Sequence, residues 1–140
     1  FDESKIDHII FGSGISAFEL EDLLIQRNFN KVLKTISYMR EQDRQSSAPI
    51  IWIISKVINS CLESLKAKDK KSALIKSGVW SSKINLYLEL IKQAKTKDFL
   101  KLNEEILKID LINKGLLKAD TWEQIDSLVL KLQDATALQT

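Results

Sequence analysis

The sequence predicts an all-α fold, a single compact bundle of about six helices. Glycine and proline, the residues that most often interrupt helices, are scarce, at four and one in 140 residues. Apolar residues recur every three to four positions, whereas strict two-residue alternation never lasts long enough to indicate a strand. The predicted helices are joined by short connections, and short connections favour antiparallel packing of neighbouring helices.

Residues 1–15 indicate a linker, or the tail of a preceding lid domain, ahead of a helical domain over residues 16–140. The segment contains Gly12 and Gly14, whose conformational freedom suits a hinge. The chain begins with Phe1 rather than Met and carries no signal-peptide pattern, so we expect it to be part of a longer protein.

Three helices are predicted in the first half of this domain. Ser16 and Glu19 form a capping box that opens the first helix, because each side chain accepts a backbone N–H that has no partner inside the helix. The second helix lies near residues 30–45. Pro49 opens the third, since proline in the first helical turn loses no hydrogen bond, and this helix ends near Lys66.

The second half contains a short turn and then three further helices. The turn closes on Gly78, a predicted C-terminal cap. The fourth and fifth helices are predicted over about residues 81–95 and 98–114. Asp120 and Glu123 then make a variant of the capping box, which opens the last helix.

The stretch KIDLINKGLLKADTW predicts a structural corner between the last two helices. Asp110 and Lys114 are one helical turn apart and can form an ion pair. Gly115 is the predicted left-handed stop of the fifth helix. Asp120 caps the following helix, and Trp122 fills the joint between the two.

Composition and motifs exclude several kinds of chemistry. The net charge of +2, from 21 basic and 19 acidic residues, is far from that of a dedicated nucleic-acid binder. His8 is the only histidine and Cys61 the only cysteine, which excludes a zinc site and an internal disulfide. The glycines of FGSGIS lack the following Lys-Ser/Thr of a phosphate loop.

No catalytic residue, metal or cofactor is predicted. Carboxylate pairs such as Glu19 and Glu21 are expected on different helix faces or in water, without the desolvation that tunes a catalytic pKa. The apolar run PIIWIISKVINSCLESL is interrupted by charged residues, so it predicts a core helix and no membrane anchor. Because the one cysteine has no partner, we expect a cytoplasmic protein.

Several apolar side chains fall outside the predicted core stripes. Trp52 lies almost opposite the core stripe of the third helix, so either another part of the domain covers it or it contacts a second protein. The fourth helix carries a second apolar stripe, so it is expected to pack on two sides, and the partner on the second side can be another chain. The candidate subunit-interface residues are Trp52, Lys56, Leu86 and Leu90.

Charge is distributed unevenly along the chain. Residues 1–30 contain six acids and two bases, whereas residues 66–83 contain six lysines and one aspartate around Trp80. Lysines around an aromatic side chain can bind a nucleic-acid backbone and an unstacked base. The alternative is a solvated lysine-rich loop with Trp80 in the core. The candidate DNA contacts are Trp80, Lys70, Lys71, Lys76 and Lys83.

The run AFELEDLLIQRNFNKVLKTISYMREQDRQSSAPIIWIISKVINSCLESLK resembles the start of the C-terminal domain of bacterial DNA polymerase III delta subunits. In that family a Phe precedes an acidic-apolar helix, then come a two-helix step, a proline and a long apolar helix that ends near a basic loop. Phe18, residues 22–24, Pro49 and the helix to Leu65 match this pattern. LIKSGVW and ILKIDLINKGLLKADTW continue the likeness, which covers about residues 16–133.

The resemblance implies a non-catalytic oligomerisation domain, the collar of the clamp-loader complex. In that family the collar joins delta to the gamma/tau and delta-prime subunits in the ring that loads the sliding clamp on primed DNA during DNA replication. An N-terminal domain outside this sequence contacts the clamp. The parent subunit belongs to the DNA polymerase III holoenzyme, a DNA-directed DNA polymerase, and primer–template DNA is a partner of the full complex.

Two other classes of protein stay open from the residues alone. One is an unrelated all-helical protein–protein adaptor. The other is a small helical nucleic-acid-binding module that uses the lysines of residues 66–83 directly.

Overall fold

Seven α-helices make up the regular structure of residues 17–137, the part of the chain that the computed structural model describes. They are α1 (Ala17–Ile25), α2 (Phe29–Gln42), α3 (Ser47–Lys66), α4 (Lys70–Lys76), α5 (Ile84–Leu90), α6 (Thr96–Asn113) and α7 (Thr121–Ala135). Short 3-10 turns, Arg44–Ser46 and Ser81–Lys83, precede α3 and α5. Because no strand occurs within residues 17–137, the predicted all-α fold class is confirmed.

The core forms around α3, which packs against α1, α4, α6 and α7. The apolar stripe predicted for this helix is buried except for Leu65, which is partly buried, and Ile54, Val57 and Ile58 are fully enclosed. Ile53 is buried as well, outside that stripe, because neighbours cover α3 on several sides. Cys61 lies in the core, and burial raises the pKa of its thiol, so it packs as an unreactive apolar group.

Within residues 17–137, one helical stretch is long and apolar enough to cross a membrane by length and composition, Arg44–Lys66, with a mean hydropathy of 1.3. Of its most apolar stretch of 18 residues, 56% is buried inside the fold. The core helix of a soluble protein passes the same test, so this stretch gives only weak support to a membrane span.

Two glycines end helices in the left-handed conformation, as predicted. Gly78 has φ of +90° and Gly115 has φ of +81°. At the end of α4, the Gly78 N–H donates to the carbonyl of Ile75 at 3.0 Å and the Val79 N–H donates to that of Leu74 at 3.1 Å. These bonds satisfy carbonyls that the helix leaves open.

Two predicted boundaries are wrong. The segment predicted as a turn before Gly78 is helix α4, which begins where the Asp69 carboxylate accepts the backbone N–H of Ser72 at 3.0 Å. The helix predicted over residues 81–95 corresponds to α5, which ends at Leu90. The next residue, Ile91, is not helical, and its side chain is buried in the core. Tertiary packing overrides local propensity there.

Some predictions fall on residues outside the described part of the chain. They are the linker over residues 1–15 with Gly12 and Gly14, the cap at Ser16, His8, and the side chain of Phe18.

Candidate functional site

Glu21 of α1 forms the centre of a buried cluster of polar side chains. The Lys83 Nζ donates to one of its carboxylate oxygens at 2.7 Å, and the Tyr87 hydroxyl donates to the other at 2.6 Å. The Lys56 Nζ lies 3.5 Å from the second oxygen. The cluster therefore ties α1 to α3 and to the segment that opens α5.

The charge of Glu21 is stabilised by these partners. Burial raises the pKa of Glu21, but the hydrogen bonds from Lys83 and Tyr87 and the positive charges of Lys56 and Lys83 outweigh burial and hold the pKa below its ordinary value. Burial and the neighbouring carboxylate raise the pKa of Tyr87, so its hydroxyl keeps the proton that it donates. This arrangement is typical of a structural cluster, because the Lys83 and Tyr87 donors are both bonded to the Glu21 carboxylate.

The expectation that Glu21 is not desolvated is wrong, although Glu19 and Glu21 do lie on different faces of α1. The Glu21 side chain is only 2% exposed, because α1 turns this face toward α3 and α5. A signal in the sequence did exist: Glu21 is four residues before Ile25 and one after Leu20, so it borders the apolar stripe of α1. A carboxylate at the edge of such a stripe needs a cationic partner.

The structure separates the four candidate interface residues. Trp52 is partly buried and packs against the core, as Leu86 does. Lys56 pairs with Glu21 and its Nζ lies 5.9 Å from the centre of the Trp52 ring, a cation–π distance. Leu90 is buried at 1% exposure, so its placement in a contact with another chain is wrong. The reason is that α5 packs between α1 and α4 and uses both apolar stripes internally.

The candidate DNA contacts also divide into two groups. Trp80 is 53% exposed, which rules out the interpretation that it lies in the core. The side chains of Lys70, Lys71 and Lys76 are exposed on α4. Lys83 is buried and pairs with Glu21, so its assignment as a DNA contact is wrong; its charge is already used inside the fold.

The corner between α6 and α7 is formed as predicted. The Lys114 Nζ lies 2.7 Å from a carboxylate oxygen of Asp110. The Asp120 carboxylate accepts the N–H groups of Trp122 and Glu123 at 3.0 and 3.1 Å, which caps α7. Trp122 is buried at 5% exposure and fills the joint. The Asp110 carboxylate is 42% exposed, so it depends less on its partner than a buried charge would.

An open groove runs between α3 and α6, and no sequence prediction identified it. The two helices are antiparallel, since the Ser47 hydroxyl near the start of α3 donates to the Asn113 amide oxygen at the end of α6, 2.8 Å away. Two adjoining cavities of about 430 and 330 Å³ lie along the groove, and Trp52, Ser55 and Leu107 line both. Apolar and polar side chains both line the groove, among them Trp52 and Leu107 and the ion pair of Asp110 with Lys114.

The sequence carried a signal for this groove that the prediction missed. Leu100, Leu107 and Leu111 recur on α6 away from its core stripe, which contains Phe99 and Ile106. Of the apolar side chains that line the groove, the sequence indicated only Trp52, on the opposite bank, as lying off a core stripe.

No protein-family model, curated protein or solved structure matches the chain. The fold and the surface define the class of the protein as an all-α domain with a buried cluster of charged side chains around Glu21 and an open groove between the antiparallel helices α3 and α6. Within residues 17–137, no group of three or more His, Cys, Asp or Glu side chains is placed to hold a metal ion.

Proposed function

We propose that this chain is the C-terminal collar domain of a bacterial DNA polymerase III delta subunit, a domain that joins subunits of the clamp loader and carries no catalytic residue. The order of motifs over about residues 16–133 carries the proposal. Its partners are then the gamma/tau and delta-prime subunits. The sliding clamp is a partner of the parent subunit through a different domain.

The all-α fold supports this assignment, since the resemblance implies a helical domain. The resembling motifs also fall where helices begin and end. Pro49 lies in the first turn of α3, Gly78 follows α4, and Asp120 caps α7. Residues at helix ends fix how one helix leads into the next, so a shared order of such residues favours a shared arrangement of helices.

The direct test is assembly with purified clamp-loader subunits. The 140-residue chain is mixed with gamma/tau and delta-prime, and complex formation is measured by sedimentation velocity. The proposal expects a stable complex. Trp52→Ala should weaken it, and Trp80→Ala serves as the matched tryptophan control. If the chain associates with neither subunit, the clamp-loader assignment fails and the unrelated adaptor is favoured.

Direct nucleic-acid binding is the second candidate function. One observation favours it: Trp80 is half exposed in a lysine-rich segment, near the exposed lysines of α4. A binding module should bind single-stranded DNA alone, with an affinity that falls steeply as salt rises. The collar assignment expects weak binding by the isolated chain, and loss of primer–template affinity in the assembled loader on Trp80→Ala would place the contact in the complex.

A further inference from the structure

Ser60 of α3 carries a buried hydroxyl that lines a cavity. The residue is only 1% exposed. It lines the cavity of about 330 Å³ that lies between α3, α6 and the end of α4. No hydrogen bond joins this hydroxyl to another group within residues 17–137, whereas buried hydroxyls are usually bonded. A buried hydroxyl that lines a cavity and has no partner inside the fold indicates a site for a polar ligand.

Three more neutral polar side chains line the same cavity, Ser55 and Asn59 from α3 and Asn103 from α6. None of the three side chains forms a hydrogen bond to the described part of the chain. Each asparagine offers an amide donor and a carbonyl acceptor, and the two approach the cavity from opposite banks. The charge of Lys56 in this lining is already paired with Glu21 at 3.5 Å. The cavity therefore suits a neutral ligand that both donates and accepts hydrogen bonds.

The Ser60 cavity is the middle one of three that follow α3. Its lining overlaps at one end with that of the 430 Å³ cavity, which reaches Ala48, and at the other end with that of a 680 Å³ cavity, which reaches Ala67. At 1.5 Å per residue of helix the three extend over about 28 Å. A polypeptide in the extended conformation rises about 3.3 Å per residue, so about eight of its residues match this length.

We propose that this line of cavities binds an extended segment of a partner protein, whose backbone N–H and C=O groups bond to the unpaired polar side chains of α3 and α6. An apolar side chain of the segment lies between Trp52 and Leu107, which line the middle cavity as well. An extended backbone directs its polar groups to both of its edges, which suits polar side chains on both banks. The proposal goes beyond the proposed function, because it states the conformation and chemistry of a partner and holds whatever the parent protein is.

The unpaired polar groups argue against other occupants. An α-helix, from a partner or from a second copy of this chain, bonds its backbone groups internally, so its backbone offers nothing to Ser60. Lipid chains offer no hydrogen-bonding group at all. A nucleic-acid strand requires positive charge along its path. Here the lysines of the 680 Å³ cavity, Lys66 and Lys76, are balanced by Glu63 and Asp69 in the same lining.

The test uses the 140-residue chain and a display library of octapeptides with leucine fixed near the middle and the other positions randomised. Selection on the immobilised chain should enrich peptides with a Kd on the order of 10–100 μM, measured by isothermal titration calorimetry. Methylation of the two backbone nitrogens beside the leucine removes donors and keeps every side chain, so it should weaken the strongest binder at least about tenfold. Methylation of the first backbone nitrogen is the matched control and should change the Kd less than about twofold.

Point variants then locate the binding. Asn59→Ala with Asn103→Ala should weaken binding of the selected peptide about tenfold or more, and Ser60→Ala should weaken it about threefold or more. Asn85→Ala is the matched control, since Asn85 is exposed on α5 and lines none of the three cavities. Circular dichroism checks that each variant is folded.

Four results would overturn the proposal. The first is no enrichment of any peptide on the wild-type chain, and the second is an affinity that backbone methylation leaves unchanged. The third is equally tight binding of the selected peptide after a covalent staple has made it helical, which would assign the cavities to a helix. The fourth is Ser60-dependent binding of maltohexaose or of oligothymidylate that displaces the peptide and is tighter than it, which would assign them to a carbohydrate or to a nucleic acid.

Discussion

At the scale of single residues, Glu21 shows what a buried charge requires. Removing a carboxylate from water costs several kcal/mol, and that cost is offset only when close partners hold the charge. Here Lys83 and Tyr87 donate at 2.7 and 2.6 Å, and Lys56 adds a second positive charge. The cluster fixes how α1 lies on α3 and α5, so its contribution is orientation of three segments as much as stability.

Glu21→Gln should lower the free energy of unfolding by about 2 to 4 kcal/mol, because it leaves the buried Lys83 ammonium with only the more distant and more exposed carboxylate of Asp22, 3.4 Å away. Urea denaturation of the chain measures the change. Glu41→Gln is the control, since Glu41 is exposed on α2 and its substitution should shift stability by less than about 0.5 kcal/mol. Equal stability of the two variants would show that the cluster contributes little.

The same cluster predicts a pH dependence. The pKa of Glu21 is held below its ordinary value of 4.5 in the folded state, so its stabilisation is present above that pH and is lost as the pH falls through the folded pKa. The difference in stability between the wild-type chain and Glu21→Gln should therefore be constant near neutral pH and shrink below about pH 4.5. Asp126, whose pKa burial raises, is present in both proteins and cancels from the difference.

At the scale of helices, the end of α1 uses a residue that is poorly suited to its conformation. Arg27 has φ of 61°, the left-handed position that usually belongs to glycine at a helix end. The Asn28 N–H donates to the Leu23 carbonyl at 3.0 Å, as in a glycine cap. The Arg27 Nε is buried and has no hydrogen-bond partner within residues 17–137. Both features cost free energy.

Arg27→Gly should raise the free energy of unfolding by about 0.5 to 1 kcal/mol, since relief of the left-handed strain exceeds the entropy that glycine adds to the unfolded chain. Thermal and urea denaturation measure the gain. Gly115→Ala gives the opposite test: φ is +81° and an added Cβ meets nothing within 4 Å, so strain alone should destabilise that variant by about 1 kcal/mol. A fall in stability on Arg27→Gly would mean that packing of the arginine side chain outweighs its strain.

The sequence predicted the helix ends better than it predicted the surfaces. Glycines, Pro49 and the cap at Asp120 act through local backbone chemistry, which a sequence displays directly. Burial of Glu21 and Lys83 depends on contacts between residues 62 positions apart, and no local pattern contains such a pair. The early end of α5 has the same origin, because the core position of Ile91 is set by other helices.

At the scale of the whole molecule, α3 is the element that connects the rest. It packs against α1, α4, α6 and α7, and α5 reaches it through the Glu21 cluster. Loss of α3 would remove the packing that these helices share. The described chain should therefore unfold as one cooperative unit rather than as two halves.

Ile54→Ala tests this directly, because Ile54 is fully buried in α3. The cavity that it leaves should lower the free energy of unfolding by about 2 to 5 kcal/mol. Far-UV circular dichroism, which follows all helices, and the fluorescence of Trp122, measured with Trp52 and Trp80 replaced by phenylalanine, should give coincident transitions in both the variant and its parent. The exposed Leu130→Ala is the control and should leave stability within about 0.5 kcal/mol. Separate transitions for the two probes would mean that α6 and α7 unfold independently of α1 and α4. That result would contradict a single cooperative unit, in which these helices unfold together because they share α3 as a packing partner.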